Sequence, residues 1–447
     1  MPTLADLKRA TLAAIDQRKA EVIGIARAVL ENPETGFTEQ KTSRLVQETL
    51  RAWGVPFQAG LALTGVKGAV QGKAGPGPAV AIIGELDSLR VPDHPHHDEA
   101  TGAAHACGHH CQVASMLGAL AGLLTPSVLE SLSGRIVPFA VPAEEFIEVE
   151  RRLRLREEGR LEFMGGKQEL LRLGAFDDVD MAMLCHTSTD RVKLAVGGTS
   201  NGHVVKFVQY SGKGAHAGGS PHLGINALNA AAFALSAINA IRETFREQDT
   251  VRVHGILTRG GEAVSAVPSR VTLEWRVRSG NLEALVDNSQ RVDRCFKAGA
   301  LAVGASVTIT NIPGYLPLLN APLLQETFLQ NAVALVGRGA VAVRPPEHNG
   351  GGSTDMGDLS QVMPVIHPYC GGAQGTAHGN DYLIRDYETA VVVPAKAMAM
   401  TVIDLLAEGA TRARQVLSNS RPPMSMEQYV AFQRARAEVV RYDGAKG

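Results

Sequence analysis

The stretch GELDSLRVPDHPHHDEATGAAHACGHHCQVASMLGAL, residues 84–120, decides the fold and directs the search for chemistry. It continues an apolar run, AVAII at 79–83, that reads as a buried strand, and it passes near Cys111 into an amphipathic helix. Between strand and helix lie six of the chain's 14 histidines, Cys107 and several carboxylates. A packed core has no use for so many metal-binding groups in one strand-to-helix connection. The stretch therefore reads as the floor of a metal-dependent hydrolytic site.

Upstream, helical spacing of apolar residues over 4–30 stops at the turn ENPETGF, and a second helix spans 40–53. Short apolar runs bounded by glycine at 61–70 and 79–83 predict strands of a buried sheet. Downstream come a helix over 112–124, the strand GRIVPFAVPAEE and the strand VDMAMLCHTSTD. Strands alternating with helices predict an α/β domain with a mainly parallel sheet, whose ligand groups gather beyond the carboxyl ends of the strands. Glu85, Asp87, Glu144, Glu145 and His186 all stand there.

From Thr199 the order changes to β-α-β-β-α-β, ending in SVTITNIPGY, which is the order of a ferredoxin-like unit. This predicts an inserted α+β domain over 199–315, with the catalytic domain made of 1–198 and 316–447. Before the insertion, EFIEVERRLRLREEGRLEF is charged enough to predict a solvated helix or hairpin. The chain closes with a long helix over 388–406 and a charged helical tail.

A length of 447 residues is about three times that of a usual domain, which suits this two-domain plan. A charged fraction of 20% and a net charge of -1 leave no electrostatic footprint for nucleic acid or an anionic membrane. Five scattered cysteines make no disulfide framework and suit a reducing compartment. Charges interrupt the N-terminal helix, so it is no signal sequence, and no apolar run approaches the ~18 residues of a membrane span. These features predict a cytoplasmic protein with a small-molecule substrate.

Cys107 and His109 stand one residue apart, so on a turning backbone both reach one metal. A structural clip with Cys111 is the plainer alternative, but no second Cys-x-x-Cys pair exists to close it. Glu144 and Glu145 set two carboxylates side by side after a proline, which proteins tolerate where a cation or proton is shared. They also fit a pair of exposed acids opening the charged segment.

Six motifs in order weigh on that choice: GELDSL, HACGHH, PAEE, GGKQELLRLGAFDDVDMAMLCH, GKGAHAGGSPHLGINAL and GTAHGND. Together they resemble the metallopeptidase family of aminoacylase and carboxypeptidase G, in its amidohydrolase branch, over roughly residues 30–406. The resemblance implies a metallopeptidase-like catalytic domain binding one or two divalent transition metals, manganese or zinc, and an inserted domain that lids the site and forms a homodimer. It implies Cys107 as the bridging ligand, with His109, Glu145, His186 and His378 completing the set. Glu144 is then the general base, Asp87 the acid behind the ligands, and His216 the residue that polarises the substrate carbonyl, often across the dimer. Arg278 aligns with an arginine used on a substrate carboxylate, and Ser265 stands where the branch carries an asparagine near the substrate. Gln374, Thr354 and Asp355 lie on glycine-rich loops able to approach a substrate.

The expected reaction is hydrolysis of the amide of an N-acyl or aminobenzoyl amino acid, a substrate with a carboxylate and an aromatic ring. A metal lowers the pKa of water from ~15.7 towards ~7, and Glu144 passes the proton to the leaving nitrogen. Three departures from the family pattern open a second reading. His110 follows CGH where an acid or amide is usual, which could alter metal choice or number. The charged segment replaces a short glycine run, and Trp275 replaces a glycine, which together predict a bulkier pocket. The second reading is deamination of an activated aromatic amine such as 5-nitroanthranilate, with release of ammonia. His94, His96 and His97 read as a solvated stretch, and Cys295 and Cys370 as core.

Overall fold

The computed structural model describes residues 2–446. Its central sheet runs in the order Phe57–Leu61, Gly65–Gly68, Arg135–Val141, Ala79–Glu85, Met181–Met183 and Val365–Ile366, with Val70–Gln71 also on Arg135–Val141. Ala79–Glu85 pairs in parallel with both of its neighbours, and Val365–Ile366 is parallel as well. The two strands within 57–68 form an antiparallel hairpin at one edge. All seven residues of Ala79–Glu85 are buried, the environment an unbroken apolar run demands.

Four helices, Leu4–Gln17, Lys19–Leu30, His109–Leu123 and Val393–Leu406, share a core that takes in Val22, Val80, Ile82, Leu117 and Met398. The opposite face packs Ala81, Ile83, Phe139, Phe176 and Tyr429. The helix His109–Leu123 is buried at every position. It begins earlier than its apolar spacing predicts, because Gly108 at φ +85° turns the chain directly into it. A side chain at that position would collide with the Thr187 hydroxyl, so only glycine seats Cys107 and His109 together. The stretch Glu388–Leu406 is long and apolar enough to cross a membrane, but 89% of its apolar window is buried inside the protein.

A four-stranded sheet of Val341–Asn349, Leu194–Thr199, Tyr369–Cys370 and His186–Thr187 flanks the first and sets His186 beside Tyr369. The inserted domain is an antiparallel sheet ordered Arg252–Arg259, Arg270–Ser279, Gly202–Ser211, Ser306–Pro313 and Glu438–Asp443. Its helices Ala227–Ile241 and Leu282–Val303 share a core with Val208, Leu273 and Phe296.

Three expectations need correction. The tail is not helical throughout: after Thr411–Asn419 and Met426–Ala435 it forms the strand Glu438–Asp443, a fifth strand on the lid sheet. The charged segment forms the helix Val149–Glu157, yet it is not simply solvated. Arg152 is fully buried, and Phe146 and Val149 pack on Val205, Phe207 and Ile312 of the lid. Trp275 does not shape the substrate pocket, because strand alternation turns it into the lid core against Phe296.

Candidate active site

The ligand atoms of Cys107, His109 and His186 lie within 4.8 Å of one another, and so do those of Cys107, Glu145 and His378. The two groups share Cys107. Its Sγ is 3.4 Å from His186 Nε2, and His378 Nε2 is 3.4 Å from Glu145 Oε1. The five residues arrive from four places in the chain. Cys107 and His109 flank the glycine that opens the buried helix, Glu145 follows the central strand Arg135–Val141, and His186 opens a strand of the flanking sheet. His378 comes from a late loop at φ 66°, a left-handed conformation that costs about 1–3 kcal/mol in a non-glycine residue. Its backbone N–H donates to the Ala106 carbonyl at 2.9 Å, which fixes this loop to the residue before Cys107.

Glu85, His109 and Glu144 form a third group of the same kind. His109 Nε2 is 3.3 Å from Glu85 Oε2 and 4.0 Å from Glu144 Oε2. Glu85 Oε2, Asp87 Oδ1, His109 Nε2 and Glu145 Oε1 are all buried without a hydrogen-bond partner among the described residues. Buried polar atoms that converge without partners require a counter-charge. Sulfur, imidazole and carboxylate together are the donors of a divalent transition metal, so the residues present fit such an ion.

A second layer holds these groups in place. Asp87 Oδ2 accepts the Glu145 backbone N–H at 2.8 Å, while its carbonyl lies 2.9 Å from His109 Nδ1. Glu39, buried, accepts the Ala143 N–H at 2.9 Å and so fixes the turn that delivers Glu144. Arg152 donates to the carbonyls of Met164 and Glu145. Beneath Glu85, the Lys167 ammonium donates to Glu85 Oε1 at 2.6 Å and pairs with Asp355. Glu85, Arg152 and Lys167 were legible only as a strand end and two ordinary helix positions. A charged residue within an otherwise apolar strand or glycine-bounded helix is the signal that marks them.

Charge is crowded here. Burial, with Glu85, Glu145 and Asp355 nearby, pushes the Glu144 carboxyl well above the usual carboxylate range. Burial and then Glu145 push the Cys107 thiol up. Burial opposes a charged His109, but Cys107, Glu85 and Asp87 outweigh it and raise its affinity for a proton. Burial also opposes ionised Glu85, yet Lys167 and His109 hold it down at about 2.

Two cavities meet at Glu144, Glu145 and His378. One, about 300 Å³, is lined by Leu318, His367, Tyr369 and Tyr382 along with Cys107, His186 and Thr354. The other, about 480 Å³, is lined from the lid by His203, Arg252, His254, Arg276 and Arg278. Arg278 donates to the Ser353 hydroxyl at 2.8 Å and to His254 Nε2 at 3.2 Å. Burial, and then Arg276 beside it, pulls Arg278 down to about 10.

The remaining residues singled out from the sequence lie elsewhere. Gln374 is exposed on a two-residue strand and lines neither cavity. His216 and Ser265 sit together on the lid, joined by the Ala217 N–H donating to the Ser265 carbonyl at 2.8 Å, and line neither cavity within one chain. His110 belongs to none of the ligand groups; its ring is buried beside His105 and Tyr387. His94 is not solvated: it is 1% exposed, with Nε2 2.9 Å from the Tyr382 carbonyl. Cys295 and Cys370 are buried.

Residues 197–302 match the family model of the M20 peptidase dimerisation domain. The Xaa-Arg dipeptidase of Mus musculus is 27% identical over 90% of this chain and 89% of its own length. An N-acyl-L-amino acid amidohydrolase of Geobacillus stearothermophilus is 26% identical over 68% of this chain and 80% of its own. A Bacillus subtilis structure described as a dinuclear metal-binding peptidase of the M20 family superimposes with a TM-score of 0.62, covering 88% of this chain and 99% of that one at 20% identity. The ligand groups around Cys107, the matched domain and these relatives converge: this chain is a metal-dependent hydrolase similar to peptidases and amidohydrolases of the M20 type.

Proposed function

We propose that this enzyme hydrolyses the amide bond of N-acyl amino acids, with two divalent ions, zinc or manganese, held on either side of Cys107. The carrying observation is that two ligand groups share one thiol and that Glu144 lines the same cavity, at the meeting point of two cavities. His109 and His186 would hold one ion, Glu145 and His378 the other. Bound ions supply a polarised carbonyl and a more acidic water. Glu144 takes the proton of the attacking water and returns it to the leaving nitrogen. Asp87 positions His109 and Glu145 and is itself out of reach of substrate. The cavity of Leu318, Tyr369 and Tyr382 suits an acyl or aromatic group, and Arg278 suits a carboxylate.

His216 supports a homodimeric reading. Its Nδ1 accepts the N–H groups of Gly218 and Gly219 at 3.2 and 2.9 Å, so Nε2 carries the proton and is free to donate. Outside its own chain's cavities, it would serve the oxyanion of a second copy. The free cysteines suit a cytoplasmic setting.

The test is a substrate panel on protein loaded with zinc or manganese. Amine release from N-acyl and aminobenzoyl amino acids is the expected outcome. Ammonia release from 5-nitroanthranilate, with no amide cleaved, would replace this reading by deamination. In Glu144→Gln, kcat should fall by about 10²–10⁴-fold with metal content unchanged; full activity would remove Glu144 from its role.

A further inference from the structure

The three histidines of the ligand groups that share Cys107 are held unequally. His109 Nδ1 is 2.9 Å from the Asp87 carbonyl, and His186 Nδ1 is 2.7 Å from the Thr187 carbonyl. A bond at one ring nitrogen orients the other towards a metal. The His378 ring has no such bond among the described residues, and its side chain is 55% exposed. Its left-handed backbone, φ 66°, persists only where the surroundings hold it. Where His378 stands therefore depends on where its loop stands.

That loop is a closed turn: the Thr376 N–H donates to Asp381 Oδ1 at 2.9 Å and the Gly379 N–H to the Thr376 carbonyl at 2.8 Å. Tyr382, at its end, ties it down twice. The Tyr382 ring is buried in an apolar cluster with Leu89, Val91 and Ala106. Its hydroxyl is 2.8 Å from Thr187 Oγ1, which donates at 3.1 Å to the Cys107 carbonyl. Thr187 has one hydroxyl proton to give, so Tyr382 is the donor of the first bond. The Tyr382 carbonyl lies 2.9 Å from Nε2 of buried His94. His94 Nδ1 accepts the His96 backbone N–H at 3.1 Å, which leaves the proton on Nε2 and makes His94 the donor. One tyrosine thus joins the loop of His378 to the turn of Cys107, the two ends of one ligand group.

Resting on the two-ion reading above, we propose that His94 and Tyr382 are positioning residues for the ion held by Glu145 and His378. They clamp the His378 loop onto the Cys107 turn. Without them the enzyme keeps the ion of His109 and His186 and loses the other.

Metal-free protein is titrated with Mn²⁺, and bound ions are counted by calorimetry and by the paramagnetic resonance signal of free Mn²⁺. The wild type should take up two ions, and His378→Ala marks the binding event that belongs to the second. Tyr382→Phe and His94→Phe should weaken that same event by about 10–100-fold and leave the other unchanged. His94→Gln, whose amide can donate to the Tyr382 carbonyl, should recover most of the loss. Tyr382→Phe removes one oxygen and keeps the ring in its apolar cluster, so it reads the clamp even if the change at His94 unfolds the loop. Two ions bound with unchanged affinity in Tyr382→Phe, or both events weakened alike, overturns the proposal and leaves the two-ion reading standing. No recovery in His94→Gln removes His94 from the clamp. A single ion in the wild type discards the two-ion reading, and the proposal with it.

Discussion

At the scale of single residues, Lys167 is the one whose loss would be felt furthest. Among the described residues it is the only cation in contact with both Glu85 and Asp355, and all three side chains are fully buried. Removing one partner of a buried ion pair costs about 3–5 kcal/mol, because the remaining charge has neither water nor counterion. Lys167→Met should therefore lower unfolding free energy by about that amount in urea, and also weaken metal retention, since Glu85 would be freed to approach His109. A loss under about 1 kcal/mol would mean that water reaches the pair. The five proposed ligands were readable because cysteine, histidine and paired glutamates are chemically conspicuous. Lys167, Arg152 and the lid arginines were not, because their roles depend on what faces them across the fold. His94 shows the reverse error: a histidine among prolines and aspartates looks solvated, and only a contact with distant Tyr382 shows otherwise.

At the scale of elements, the C-terminal strand alters the inserted domain most. Glu438–Asp443 pairs along six residues with Ser306–Pro313 and lays Val440 and Tyr442 against the lid core. It thereby closes one edge of the sheet and leaves Arg252–Arg259, with exposed Ile256 and Leu257, as the open one. Unpaired edges invite pairing with other chains. Ending the chain after Ala437 should expose the second edge and shift the protein to larger assemblies in light scattering; an unchanged size distribution would show that this strand does not guard the edge. The alternation of strands and helices was legible because period-2 and period-3.6 patterns are local. The strand nature of 438–443 was not, since its partner lies more than a hundred residues earlier and its charged composition reads as helix or coil.

At the scale of the whole molecule, the tail helix Met426–Ala435 is anchored to the catalytic domain through a buried acid. Asp358 accepts hydrogen bonds from Tyr429 at 2.7 Å and Gln433 at 3.0 Å. Burial lifts its carboxyl from the ordinary 3.8 to about 8, and Glu39 is lifted in the same way to about 7. A carboxyl raised on folding favours the folded state while it stays protonated, fully so below its unfolded value, and the benefit is lost as pH climbs through the raised value. Thermal stability should thus decline from about pH 4 to about pH 8, the interval between the ordinary 3.8 and the raised value of about 8, and Asp358→Asn should flatten part of that slope in a melting series. An identical slope in the variant would assign it to other groups. The inserted lid also imposes an order on biosynthesis. Four of the proposed ligands leave the ribosome before the lid, whereas His378 follows it, and domains fold as units from the N-terminus. The strand of His186 pairs with Tyr369–Cys370, which also follows the inserted domain, and Glu145 waits for His378. On the two-ion reading proposed above, neither ligand group is in place until translation has passed the inserted domain, so metal would be acquired late in synthesis.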